Sequence, residues 1–185
     1  MNVMSRRRVL VAAGTVAAAA ALGKPRAVRS EEFLPLSALK RTDPPVEAPD
    51  IVFQSQDGVE HHVSEFVGRG MVVNLWATWC APCVAEMPAL AKLALALAPA
   101  DIAVLPLSSD RGGASVVRKF FDDHAITGLP VLLDPNGDAV RAVGARGLPT
   151  SLVIDTEGRE RARLEGAIDW SSPEAESRVR ELVSD

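Results

Sequence analysis

Apolar residues fall into two alternating rhythms along this chain. Residues 71–77, MVVNLWA, are apolar on both alternating faces apart from Asn74, a pattern that suits a central strand covered on both sides. Residues 102–108 repeat it. Between them Val84, Met87, Leu90, Leu93 and Leu97 recur at three- and four-residue steps, which predicts a helix over 82–97. Pro88 falls inside that helix and is expected to kink or loosen it; Pro99 lies past its end. The run 116–121 anchors a second helix over 114–124. Two short runs, 51–54 and 59–63, flank Gln56-Asp57-Gly58 and read as an N-terminal β-hairpin. Residues 131–133 predict a short strand closed by Asp134-Pro135-Asn136-Gly137, and 139–143 a short helix. Residues 151–155 and 160–165 form a second hairpin about Thr156-Glu157-Gly158-Arg159, and a last helix starts near Ser172 with Pro173 in its first turn.

Strands alternating with helices predict an α/β fold, a central sheet flanked by helices, and the closing antiparallel hairpin makes that sheet mixed. The folded domain is placed at 50–185. Residues 24–49 read as a linker because Pro25, Pro35, Pro44, Pro45 and Pro49 punctuate them, although Phe33-Leu34-Pro35-Leu36 is apolar enough to pack.

Charge changes the picture at the N-terminus. The formal charge is −4, yet six of the 20 basic residues and none of the 24 acids lie in 1–30, which leaves −10 for 31–185. An acidic folded part excludes nucleic-acid binding by a basic footprint. Residues 1–23 read as an export signal: Ser5-Arg6-Arg7-Arg8, then apolar residues from 9 to 22, too few for the roughly 20 that span a bilayer. Ala21 and Gly23 supply the small residues of a cleavage site. Ser-Arg-Arg-x-Val-Leu is similar to a twin-arginine signal, with Val9 where Phe is usual. The general export route and an uncleaved membrane tether stay open. Export would place the cysteines in an oxidising compartment.

The only two cysteines stand in Trp76-Ala77-Thr78-Trp79-Cys80-Ala81-Pro82-Cys83. The predicted strand and helix put Cys80 at a helix N-terminus, where free N–H groups and the macrodipole stabilise a thiolate. Cys83 lies one turn on. That arrangement supplies an exposed nucleophile and a sheltered resolving thiol. A zinc site normally takes four ligands, and His61, His62 and His124 show no paired spacing. A static disulfide would close a loop too small to contribute much. Copper held by the two thiolates and a histidine remains an alternative.

WATWCAPC followed by Val84-Ala85-Glu86-Met87-Pro88, with Gly147-Leu148-Pro149-Thr150 before a late strand, resembles the thioredoxin superfamily. More narrowly, it resembles the TlpA/ResA-type periplasmic thiol–disulfide oxidoreductases over residues 50–185. The resemblance implies a thioredoxin-like fold with Cys80 as attacking thiol and Cys83 as resolving thiol. It implies a cis Pro149 facing them, and Trp79, Pro82, Leu148 and Thr150 around a partner's chain. Thioredoxins of the best-known type carry a buried Asp where this chain has Asn74, so a base is missing. Glu86, one turn after Cys83 on the same helix face, is the candidate replacement; the alternative is a solvated glutamate favouring the helix N-terminus.

The function implied is periplasmic reduction of disulfides in partner proteins, with no cofactor and no metal. The resemblance further implies electrons from a membrane donor of the DsbD/CcdA type, substrates such as apocytochrome c or copper-assembly proteins, and a monomer. A disulfide oxidase or isomerase would use the same residues in reverse, and a thiol peroxidase would use Cys80 as sulfenate.

Overall fold

Eight strands form one mixed sheet in the computed structural model, which describes residues 33–185. In chain order the elements are β1 (Lys40–Glu47), β2 (Val52–Ser55), β3 (Glu60–His62), β4 (Gly70–Trp76), α1 (Ala81–Leu97), β5 (Ile102–Ser108), α2 (Ala114–Asp123), β6 (Leu132–Leu133), α3 (Asp138–Val143), β7 (Thr150–Ile154), β8 (Arg159–Glu165) and α4 (Pro173–Ser184). Across the sheet the order is β1-β8-β7-β4-β5-β6-β2-β3. β4, β5 and β6 run parallel; the other neighbouring pairs are antiparallel.

The doubly apolar run becomes the centre of this sheet. Every residue of β4 is buried. Val72 and Trp76 pack with α1, α2 and α4, whereas Met71, Val73 and Leu75 face a second core with Ile51, Phe53 and α3. Trp76 stacks on Phe121 with ring centroids 5.8 Å apart, and Phe120 closes on it at 5.1 Å. Burying side chains of this size contributes about 1.5–3 kcal/mol each.

The helices follow from their own sequences. α1 buries Cys83, Glu86, Met87, Leu90, Leu93 and Leu97 on one stripe. It runs as one element through Pro88, whose ring faces solvent, so one backbone hydrogen bond is lost without opening the core. Ser172 caps α4 by accepting the Ala175 N–H at 3.2 Å, and Glu174 and Glu176 sit in its positive first turn. α4 docks so closely that a Cβ at Gly70 would stand 2.1 Å from Val183.

The fold departs from the sequence reading before residue 50. The export signal expected at 1–23 lies outside the described residues, as does 24–32. The described part of the expected linker is folded. Leu36–Ala38 makes a 3-10 turn, Leu39 is buried, and β1 adds an edge strand beside β8. The ladder is irregular between Arg41 and Val46, and Pro44 and Pro45 occupy that stretch. An edge strand tolerates proline because one side of it needs no N–H donors. The prolines that read as a linker therefore mark a sheet edge. Thr42 reaches Glu160 at 3.1 Å, and Arg41 pairs with Glu181 and Asp185 across to α4.

A chain cut at residue 50, the boundary the sequence suggests, is expected to be less stable than one cut at residue 33. Leu39→Ala alone is expected to cost about 2–3 kcal/mol, as for other buried leucines. Urea unfolding of the three proteins checks this; equal midpoints would show that β1 contributes nothing to stability.

Candidate active site

At the end of β4 the backbone leaves the sheet through Ala77, Thr78 and Trp79, and Cys80 becomes the N-cap of α1. Cys80 Sγ accepts the Cys83 N–H at 3.3 Å. The two cysteines are joined as a disulfide, with Cα atoms 5.2 Å apart. Both lie at the positive end of a 17-residue helix, which favours a thiolate when the bond is reduced. Exposure falls from Trp79 at 70% to Cys80 at 6% and Cys83 at 0%. The order matches a nucleophile in front of a sheltered partner, but Cys80 is less exposed than the sequence reading expects.

The loop before Cys80 is fixed from below by a residue the sequence reading passed over. Asp110, buried in the turn after β5, accepts the Thr78 N–H at 2.8 Å, the Thr78 hydroxyl at 2.7 Å and the Ser108 hydroxyl at 2.8 Å. The parallel register that sets Trp76 beside Ser108 brings these groups together. No local motif announces a contact across 32 residues.

The other wall is the loop into β7. Its Leu148–Pro149 peptide is cis. β7 pairs antiparallel with β4, Thr150 opposite Leu75, so the preceding residues run beside the chain that leads to Cys80. Leu148 is half-buried at the surface. Thr150, expected among partner-contacting residues, is instead fully buried. Its hydroxyl donates to the Gly147 carbonyl at 2.7 Å, so it braces the loop and is closed to a partner. Pro149 is buried too, and its carbonyl accepts the Gly166 N–H at 2.9 Å.

One turn along α1 from Cys83 lies a buried polar cluster. Glu86, one turn after Cys83, is wholly inaccessible. Asn74 donates to its Oε1 at 2.9 Å and Trp170 Nε1 to its Oε2 at 3.2 Å. Asn74 also bonds Ser151 at 2.9 Å, while its own Oδ1 has no partner among the described residues. Burial pushes the Glu86 carboxyl up to about 7, and the hydrogen bonds from Asn74, Trp170 and the Ile168 backbone only partly offset it. The solvated alternative for Glu86 is thereby excluded. Trp170 both packs in the core and anchors this carboxyl.

The histidines stay apart from the pair. His61 and His62 lie on the sheet's edge strand near Glu65 and Asp50. His124 ends α2 against Phe120. Among the described residues no cluster of three or more His, Cys, Asp or Glu is arranged to hold a metal.

A cysteine pair at a helix N-terminus, delivered by a central strand beside a cis-proline loop, defines a thioredoxin-like thiol–disulfide oxidoreductase. The comparisons agree, and the chain belongs to the AhpC/TSA family, whose profile matches residues 45–162. It is 30% identical over 120 residues to thiol-disulfide oxidoreductase ResA of Bacillus thuringiensis subsp. konkukian, covering 65% of this chain and 68% of that protein. The fold matches a secreted thiol-disulfide isomerase of Corynebacterium glutamicum with a TM-score of 0.67 at 21% identity, over 83% of this chain and 98% of that one. It also matches the exposed lipoprotein thioredoxin of Streptococcus pneumoniae strain TIGR4 with a TM-score of 0.59 at 25% identity, over 71% and 98%.

Two outcomes follow from this geometry. Between the ordinary carboxyl value of 4.5 and about 7, the folded protein holds a Glu86 proton that the unfolded chain has released. Stability should therefore fall as pH rises through that window, by roughly 3 kcal/mol in all. Urea unfolding of the oxidised protein at about pH 5 and about pH 8 should show this fall, and Glu86→Gln should flatten it; parallel behaviour of the two proteins would count against a neutral buried carboxyl. Asp110→Ala leaves the Thr78 and Ser108 donors unpaired and should cost about 1–3 kcal/mol, read as a lower melting temperature.

Proposed function

We propose that this chain is an exported protein-disulfide reductase, and that Glu86 is the base for its second step. The observation that carries the proposal is a buried carboxyl, titrating near neutrality, one turn beyond the buried cysteine. Reduced Cys80, as thiolate at the helix N-terminus, attacks one sulfur of a partner's disulfide and expels the other as a thiolate. A mixed disulfide between Cys80 and the partner results. Cys83 then gives its proton to Glu86 and attacks the Cys80 sulfur, releasing the partner's second thiolate. Two electrons pass to the partner, and the chain is left with the Cys80–Cys83 bond.

Pro149 holds the loop against which a partner's extended chain lies. Trp79, Pro82 and Leu148 form the surrounding contact surface, and Thr150 supports it from inside. Export rests on the basic start and apolar run of residues 1–23, and a signal of the twin-arginine kind fits that sequence. The partners in this reading are extracytoplasmic disulfide proteins, among them apocytochrome c or proteins that assemble copper centres. A membrane donor of the DsbD/CcdA type restores the dithiol, since soluble cytosolic reductants do not cross the membrane. The reaction itself uses no metal or organic cofactor.

Glu86→Gln should slow release of the partner about a hundredfold near neutral pH, so that the mixed disulfide at Cys80 accumulates. Acid-quench trapping of thiols against pH measures this directly. Wild type and variant with the same profile would remove Glu86 from the mechanism. Equilibration with glutathione or dithiothreitol tests direction: a potential at or below about −230 mV fits a reductase, and a value near −120 mV marks an oxidant.

A further inference from the structure

A groove of about 660 Å³ opens against Trp79, the residue before Cys80, between the loop after β5, α3 and the cis-proline loop. Its apolar lining includes Trp79, Leu148 and Val140; its charged lining is Arg111, Arg141 and Arg146, with Asp110 as the one acid. Three arginines in one groove stand out on a chain that carries −10 over residues 31–185. The Asp110 carboxylate is taken up by Thr78 and Ser108, inside the wall. Arg111 is exposed and has no ion pair among the described residues. Arg141 pairs with Asp138, and Arg146 pairs with Glu165, both at the surface. Side-chain exposures of 65% and 58% mark the first pair as a solvated contact, whereas Glu165, at 33%, holds Arg146 by a bidentate contact through Nε and Nη2. An exposed pair such as Arg141–Asp138 holds about 0–1 kcal/mol, so an incoming carboxylate exchanges into it at little cost, while the bidentate Arg146–Glu165 pair yields less readily.

We propose that this groove selects disulfide substrates by acidic residues close to the reactive cysteine. The partner's chain would pass Trp79 and Leu148 with its disulfide at Cys80, and its neighbouring Asp or Glu side chains would meet Arg111 first, then Arg141. The selection is local. The acidic remainder of the chain repels a partner that is acidic throughout, so the preferred segment is a short acidic stretch on an otherwise neutral or basic protein. This inference rests on the reductase reading above and adds its substrate class.

The test uses the whole chain, reduced, and three synthetic peptide disulfides alike except for acidic, neutral or basic residues flanking the cysteines. Each is converted to two peptide thiols as the chain's dithiol becomes its disulfide; 2-hydroxyethyl disulfide is the uncharged small-molecule control. The acidic peptide should react about tenfold faster than the basic one at low ionic strength. The ratio should fall toward one near 1 M salt, where screening acts over about 3 Å. Arg111→Glu should lower the ratio at low salt, and Arg111→Lys should retain most of it. Equal rates for acidic and basic peptides, with hydroxyethyl disulfide still reduced, would overturn the groove proposal and leave the reductase reading standing. Failure to reduce any of the four disulfides would overturn both.

Discussion

A strand buried on both faces carries no solvated side chain along its length, so chemistry has to begin where it ends. β4 is such a strand, and the site is arranged around its exit. Its parallel neighbour β5 supplies Asp110 at the same end, because parallel strands bring their C-terminal ends together. Its antiparallel neighbour β7 supplies the start of a strand there, which is where the cis-proline loop lies. α1 departs from the same point with its positive end at Cys80. One strand thus fixes Cys80, the carboxylate of Asp110 and the cis-proline loop without any of them being adjacent in sequence.

The same arrangement forces a cost. α1 must lay one stripe on the sheet, and that stripe includes Glu86 as well as Met87 and Leu90. An ionised carboxylate there is strongly disfavoured, and three hydrogen-bond donors are insufficient to restore its ordinary acidity. Asn74 completes the cluster from β4. An aspartate at that position would set a second carboxylate against the first, in a space that resists holding even one charge. The amide instead donates, so the buried acid has been moved from strand to helix rather than removed. Stability given up to bury Glu86 leaves a carboxyl that changes charge near neutral pH.

Much of this was legible in the sequence because the signals were local. Strict apolar periodicity set the positions of α1, β4 and β5, and Ser172-Pro173 marked the start of α4. The CxxC pair and the Gly147 to Thr150 motif located the two walls of the site. What escaped was either tertiary or read with the wrong prior. Asp110 meets Thr78 only through strand register. Thr150 shares a motif with Leu148, but it is the first residue of β7, and its hydroxyl turns back onto the Gly147 carbonyl inside the fold. Pro44 and Pro45 read as linker residues, yet proline is equally at home on a sheet edge, and nothing local separates the two cases.

Membership of the AhpC/TSA family does not by itself choose a chemistry, since one fold hosts several thiol reactions. The geometry of the pair does choose. A thiol that meets only a small oxidant needs access for a few atoms and no surface around it. Here the attacking sulfur is nearly covered, its resolving partner lies one turn away in the same helix, and the most exposed large side chain beside it is an indole. An exposed tryptophan at the mouth of a groove is unfavourable in a free monomer and favourable once a partner covers it. That exposed indole beside a nearly covered cysteine pair fits the disulfide-containing protein substrates that a thiol–disulfide oxidoreductase acts on.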